Sequence, residues 1–314
     1  MAFTKLISTY YQRAHAEFLD TDYESFGIID DHGVLTNAGA LLADNCPIYQ
    51  SRLFCTRWNG LTKTSGLQDA LDDAEYTGSL VNLLQEGEAF VKRNSHKGWY
   101  KEADRRVELP DYPERAVTEG IVNALIHRNY LEVGSEVHID MYDDRLEIYS
   151  PGGMYDGIPV QDRDIMMVPS RRRNPVIADI FSRLIYMERR GSGFKKIIEE
   201  YQNQKNYTRS LAPVFSSEQD AFFLTLKNLN HYLGNDQGNN PGNDQGNDNG
   251  VDWEKRKLAV ISVVRMNSQI SLQEMQDTLH MTKRQLTRTL DMLKTDGTLG
   301  REGNTRNGHW VINE

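Results

Sequence analysis

The chain has 314 residues, 39% of them hydrophobic and 26% charged, with a net charge of −9; these are ordinary proportions for a globular protein with room for two or three domains. No apolar run approaches the roughly 20 residues that a bilayer-spanning helix needs, and the opening MAFTKLISTYYQRAH lacks the apolar core of a secretory signal, so a cytoplasmic location without membrane contact is expected. Cys46 and Cys55 have neither CxxC spacing nor neighbouring histidine pairs, which speaks against a structural zinc site and a disulfide framework.

Residues 1–110 read as a mixed α/β scaffold. The pattern predicts a helix over 6–18, a short strand over 26–29 and a turn at Asp30, Asp31, His32 and Gly33. LTNAGALLAD (35–44) follows as a helix that Thr36 or Asn37 can cap, with Leu35, Ala38, Leu41 and Leu42 on its buried side. RLFCTRW (52–58) alternates as a strand, SLVNLLQEGEAFVKRN (79–94) is amphipathic, and 105–109 forms a strand leading into Asp111.

The stretch YPERAVTEGIVNALIHRNY (112–130) is the informative one. Pro113 can open a helix, since its missing N–H costs nothing in the first turn, and Glu114 suits the positive end of the helix dipole. Val117, Ile121, Ala124 and Leu125 share a face that packs into a core. Glu119, Asn123 and His127 stack one turn apart on much of the opposite side, beside Val122 and Ile126. A polar stripe on so apolar a helix costs free energy unless it is partnered.

Next, 136–142 and 146–149 alternate around an Asp143–Asp144–Arg145 turn, a hairpin whose second strand runs into Ser150, Pro151, Gly152 and Gly153. Residues 154–173 lack periodicity and read as a long loop ending in Arg171, Arg172 and Arg173. Pro175 begins a helix with Val176, Ile177, Ile180, Phe181 and Leu184 inside. Gly191, Ser192 and Gly193 then precede a helix over 194–201, where unpaired N–H groups and the dipole favour phosphate. APVFSS (212–217) and DAFFLTLKN (220–228) read as two antiparallel strands that finish the sheet.

Glu-x-x-x-Asn on one helical face resembles the N-box helix of the GHKL ATPases, which include gyrase, MutL and the histidine kinases. NALIHRNY, DDRLEIYSPGGMYDG and RRRNPVIADIFSRLIYMERRGSGFKKI, in that order, further resemble the signatures of the RecG-like, Schlafen/AlbA-associated ATP-binding transcriptional regulators, often labelled ATP-dependent DNA helicases. The resemblance implies an α+β chain: a GHKL-like α/β sandwich over 111–229, with a mixed sheet and helices on one face, joined to the N-terminal α/β region and a C-terminal winged helix-turn-helix. It implies ATP with Mg²⁺ as cofactors, Glu119 as the catalytic residue that orients water, and Asn123 as the magnesium ligand. His127, Ser150, Gly152, Gly153, Arg173, Gly191, Ser192 and Gly193 join Asn123 in the nucleotide site. Ser150 stands where the wider group has an aspartate reading the adenine amino group, and a hydroxyl is a weaker acceptor than a carboxylate. No counterpart of the family's N-terminal AlbA-type domain is recognised, so the chain reads as a shortened member.

Residues 230–250 are mostly Gly, Asn, Asp and Gln with the near repeat GNDQGN, which predicts a flexible linker. Residues 251–314 then have winged-helix organisation: a helix over 253–266, a second capped by Ser271, a third over 283–294 and a two-stranded wing. Leu286, Leu290 and Leu293 form the core side of the third helix. Lys283, Arg284, Gln285, Thr287 and Arg288 face outward for duplex DNA, with Arg301 and Arg306 on the wing. From Asp252 onward ten Lys and Arg face eight Asp and Glu, a net +2 that leaves −11 for the rest, so DNA affinity belongs in this part. A single module with so few contacts implies a homo-oligomer on DNA.

Three functions compete on this reading: an ATP-binding, DNA-binding transcriptional regulator; a DNA-dependent ATPase of RecG-like type; and a degenerate interaction scaffold without ligand. The sequence holds no G-x-x-x-x-G-K-[ST], which counts against a P-loop helicase motor.

Overall fold

A computed structural model describes residues 1–63, 69–101, 104–169, 171–187, 193–231, 253–279, 281, 283–302 and 309–312. The chain divides into two compact units, 1–240 and 241–314.

The first unit is built on a six-stranded sheet in the order β2-β1-β5-β6-β8-β7. Its strands are β1 (Leu53–Trp58), β2 (Ala70–Tyr76), β5 (Val137–Met141), β6 (Arg145–Pro151), β7 (Val214–Ser217) and β8 (Ala221–Lys227). All neighbours are antiparallel except β1 and β5, which run parallel with Leu53 opposite Val137, so the sheet is mixed. β3 (Lys97–Lys101) and β4 (Arg106–Pro110) form a separate hairpin. Because β1 and β2 lie in the same sheet as β5 to β8, and one hydrophobic cluster runs from Phe3 to Leu229, the expected boundary near residue 110 separates no two bodies.

Alternation decides the faces. Leu53, Cys55, Val137, Ile139, Leu146, Ile148, Leu224 and Leu226 are all buried on one face, beneath α4 (Leu80–Arg93) and α5 (Glu114–His127). The other face carries a half-buried aromatic row across four strands: Phe54, His138, Tyr149 and Phe223, with neighbouring rings 5.4, 5.7 and 5.2 Å apart. α5 lies close on the sheet because Gly120 presents no side chain; a Cβ there would sit 2.7 Å from Leu224 Cδ2. Val122 and Ile126, expected beside the polar stripe, are fully buried as well, in the same core as α6 (Pro175–Arg183).

The local signals explain most element ends. α1 spans Thr4–Ala14, shorter than the expected 6–18, and its first turn is capped by the distant Asp44, whose carboxylate accepts from Thr4 N (2.8 Å) and Lys5 N (3.0 Å). α2 is Asp20–Ser25. The strand expected over 26–29 reduces to a single bridge between Ile29 and Leu35, because the Asp30 turn closes too tightly for a ladder. Thr36 caps α3 (Asn37–Leu42) at Gly39 N, and Ser79 caps α4 at Asn82 N. Pro113 is the N-cap of α5 rather than its first residue.

The second unit packs α8 (Trp253–Met266), α9 (Leu272–Leu279) and α10 (Lys283–Thr295) with a two-stranded antiparallel sheet of β9 (Leu299–Glu302) and β10 (His309–Ile312). Leu286, Leu290 and Leu293 close its core with Val260, Met275 and Trp310, whose indole donates to Ile270 O at 3.1 Å. Most of the expected linker lies outside the described residues.

Candidate functional site

α5 and α7 (Gly193–Gln202) cross at the polar stripe. Glu119 is 7% exposed, and its Oε1 lies 3.5 Å from Asn123 Nδ2. A Cβ on Gly193 would stand 2.7 Å from Glu119 Oε1 and 3.0 Å from Asn123 Nδ2, so the glycine lets the α7 N-terminus approach both side chains without displacing their ends. Gly191 and Ser192, expected beside it, lie outside the described residues.

The end of β6 closes the other wall. Ser150, 3% exposed, donates from Oγ to Ala124 O at 2.7 Å and ties the strand to α5. With its proton committed to that carbonyl, the Ser150 oxygen offers the cleft lone pairs only. Gly152 has φ +98°, and Arg173, which donates from Nη2 to Gly153 O at 2.6 Å, lies against it. Gly153 is fixed by a different neighbour: a Cβ would fall 1.9 Å from Glu218 O in the β7–β8 turn. Its glycine is thus demanded by packing against that turn.

One cleft is lined by Glu119, Asn123, His127, Ser150 and Gly193 together with Gly152, Gly153 and Arg173. Arg171, already read at the end of the long loop, also lines it, and much of the remaining lining comes from positions that sequence reasoning passed over. Asp156, Arg163 and Arg171 belong to the 154–173 loop, and Phe194 and Phe222 stack with ring planes 7° apart and centroids 5.9 Å apart. The loop has two short 3₁₀ turns, Val160–Asp162 and Ile165–Met167, and is pinned to β7: Val160 N donates to Ser217 Oγ and Gln161 exchanges two bonds with the Ser217 backbone, all at 2.9 Å.

His127 is half-buried, and burial, reinforced by Arg173 and Arg172, pushes its pKa down to about 4. The folded-state value lies below the unfolded one near 6.5, so between those values the unfolded chain binds more protons and stability falls as pH drops. Roughly 2–3 kcal/mol is expected to be lost between pH 6.5 and 4 through this residue, and His127→Gln should flatten that part of a stability–pH profile measured by urea denaturation. An unaltered profile would show that His127 is charged in the fold.

Within the HRN and RRRN segments, Arg128 and Asn174 are structural. Arg128, 1% exposed, donates to Asn129 O and Glu132 O, each at 3.0 Å, and to Ser135 O at 2.5 Å. Asn174 caps the α5 C-terminus by donating to Ile126 O (2.7 Å) and Arg128 O (2.8 Å).

In the second unit Thr287 is exposed, Arg288 half-buried, and Arg301 exposed with its guanidinium 5.1 Å from the Trp310 ring. Lys283, Arg284 and Gln285 open α10, but their side chains, like all of Arg306, lie outside what is described.

Residues 134–226, from just before β5 to the end of β8, match the family described as "Putative ATP-dependent DNA helicase recG C-terminal". The first unit therefore contains an ATPase-like domain related to that C-terminal family. The matched segment includes Ser150, Gly152, Gly153, Arg173 and Gly193, whereas Glu119, Asn123 and His127 precede it and join the site through α5. Among solved structures, the crystal structure of the DIP2311 protein from Corynebacterium diphtheriae is similar in fold, with a TM-score of 0.59 and 17% identity over 98% of this chain. The chain spans 61% of that protein's length. No curated protein matches the sequence. Among the described residues no helix is long and apolar enough to cross a membrane.

Proposed function

We propose that the chain is a cytoplasmic, ATP-binding and DNA-binding transcriptional regulator in which a GHKL-like nucleotide module is tethered to a winged helix. The observation that carries the nucleotide half is the meeting of Glu119 and Asn123 with the glycine-opened N-terminus of α7 in one cleft whose rim holds Arg163, Arg171 and Arg173. The donor set fits magnesium carried by a polyphosphate. Among the described residues no three His, Cys, Asp or Glu could jointly hold a metal, so a cation here depends on Asn123 Oδ1 and on phosphate oxygens. Gly193 and Arg173 would face the phosphates, with Ser150 and Gly152 toward the base. The cation would neutralise phosphate charge, and Glu119 would orient a water for hydrolysis. That hydrolysis is expected to be slow, since Ser150 replaces the carboxylate that would fix the base.

The DNA half rests on the three-helix unit with its β9–β10 hairpin and the basic start of α10. With −11 on the rest of the chain, attraction must act locally, within a Debye length of about 8–10 Å. Two copies on a palindromic site would supply the contacts that one lacks.

Titration calorimetry of the full chain with ATP and magnesium should give saturable heat. Duplex DNA should be retained in a salt-dependent way, with the slope of log K against log salt reduced by roughly 2 when Arg284 and Arg288 are both changed to alanine. No heat with ATP, ADP or GTP at millimolar concentration would overturn the nucleotide half; retention that ignores salt or the double change would overturn the DNA half.

A further inference from the structure

Three charged side chains of the 154–173 loop are tied together inside the cleft. The Asp156 carboxylate, whose side chain is 18% exposed, accepts from Nη1 of Arg163 at 3.0 Å and from Nη2 of the same residue, and lies 3.8 Å from Arg171 Nη1. Arg163 also donates to Ile158 O at 2.9 Å, and its buried Nε has no partner among the described residues. Arg171 is 56% exposed and held only loosely. All three line the same cleft as Glu119, Asn123 and Gly193.

A carboxylate gripped by two nitrogens of one guanidinium has the geometry that guanidinium also offers to phosphate. The arginine hydrogen bonds hold the Asp156 carboxyl below the usual carboxylate range. Near neutral pH it therefore stays charged and does not leave by taking up a proton. What can replace it is another anion that offers more to the same donors. A single phosphate exchanges one anion for a similar one and gains little. A chain of phosphates has oxygens enough to engage Arg163 and Arg171 at once and to reach Arg173 across the cleft.

Resting on the nucleotide reading above, we propose that Asp156 is an internal counter-anion standing in for phosphate, and that a polyphosphate ligand binds by taking Arg163 and Arg171 from it. The exchange sets a threshold that favours triphosphates over monophosphates. It also makes ligand binding release Asp156 and the turn at Gly157, while the part of the loop pinned to Ser217 stays in place.

The test is calorimetric titration of the full-length chain and its Asp156→Asn and Arg171→Gln variants with Mg-ATP, inorganic tripolyphosphate and AMP. Asp156→Asn should bind ATP and tripolyphosphate roughly three- to tenfold more tightly than wild type, with a smaller change for AMP; Arg171→Gln should weaken both by a similar factor. Should Asp156→Asn fail to fold, as circular dichroism would reveal, Arg171→Gln decides, since an exposed side chain with one long ion pair can be removed without cost to the fold. If wild type binds ATP but the folded variants bind equally well, the counter-anion is wrong and the nucleotide reading stands. If ATP does not bind but tripolyphosphate does, and obeys the expected order, the exchange stands and the nucleotide reading falls. If neither ligand binds wild type or Asp156→Asn, both are overturned.

Discussion

Alanine at Asn123 is expected to weaken magnesium-dependent ATP binding by about 100-fold or more. Losing an outer partner of a metal ligand costs roughly 10–100-fold, and loss of the ligand itself belongs at or beyond that upper end. The case is sharpened by the composition of the cleft, where, among the described residues, no three acidic or imidazole groups are placed to take over the cation. Glu119→Gln provides the contrast. It keeps the shape beside Asn123 and Gly193, so ATP should still bind within a few-fold of wild type while any hydrolysis disappears. The measurement is a pair of titrations, in magnesium and in EDTA. Equal losses in both would show that Asn123 supports packing or the phosphates directly and holds no metal.

Arg128→Ala should be the more damaging change to the fold, costing roughly 3–5 kcal/mol in urea denaturation of the first unit. Its guanidinium serves three backbone carbonyls between Asn129 and Ser135 and lies over the Tyr130 ring at 4.8 Å, almost wholly out of solvent. Removing it takes a donor from each of those acceptors, of which Asn129 O keeps Glu132 N at 3.1 Å, and opens a void. Arg128→Lys should recover less than half, because one ammonium cannot reproduce a planar fork aimed at three oxygens. A loss below about 1 kcal/mol for the alanine variant would mean that water replaces the fork at little cost.

How far these features could be read in advance depends on whether their causes are local. α5, the β5–β6 hairpin and α6 were legible, since periodicity, the Asp143–Asp144 turn and Pro175 act within a few residues. β2 gave no such signal: ALDDAEY has alternating half-buried and exposed positions, its one large aliphatic residue, Leu71, is 55% exposed, and what makes it a strand is its pairing with β1. The Asp44 cap of α1 was likewise invisible, the two partners lying about 40 residues apart. Within the cleft, the Glu119–Asn123 spacing indicated a shared helical face, and Gly193 stands against both side chains. Asp156 and Arg163 were missed because the loop that carries them has no period to betray its inward side. Gly153 shows the opposite limit, since a motif suggested ligand approach where contact with Glu218 O also requires the glycine.

The parallel pairing of β1 with β5 has a consequence for the birth of the protein. Leu53 must wait for Val137, its partner 84 positions later, before the sheet can close. At a synthesis rate of roughly 5–20 residues per second, the nascent β1–β2 pair keeps one strand edge unsatisfied for about 4 to 17 seconds after Leu53 is made. That edge can take up only what the ribosome's surroundings offer, so conditions that slow elongation between these two strands should favour capture by chaperones or misassembly with a second nascent chain.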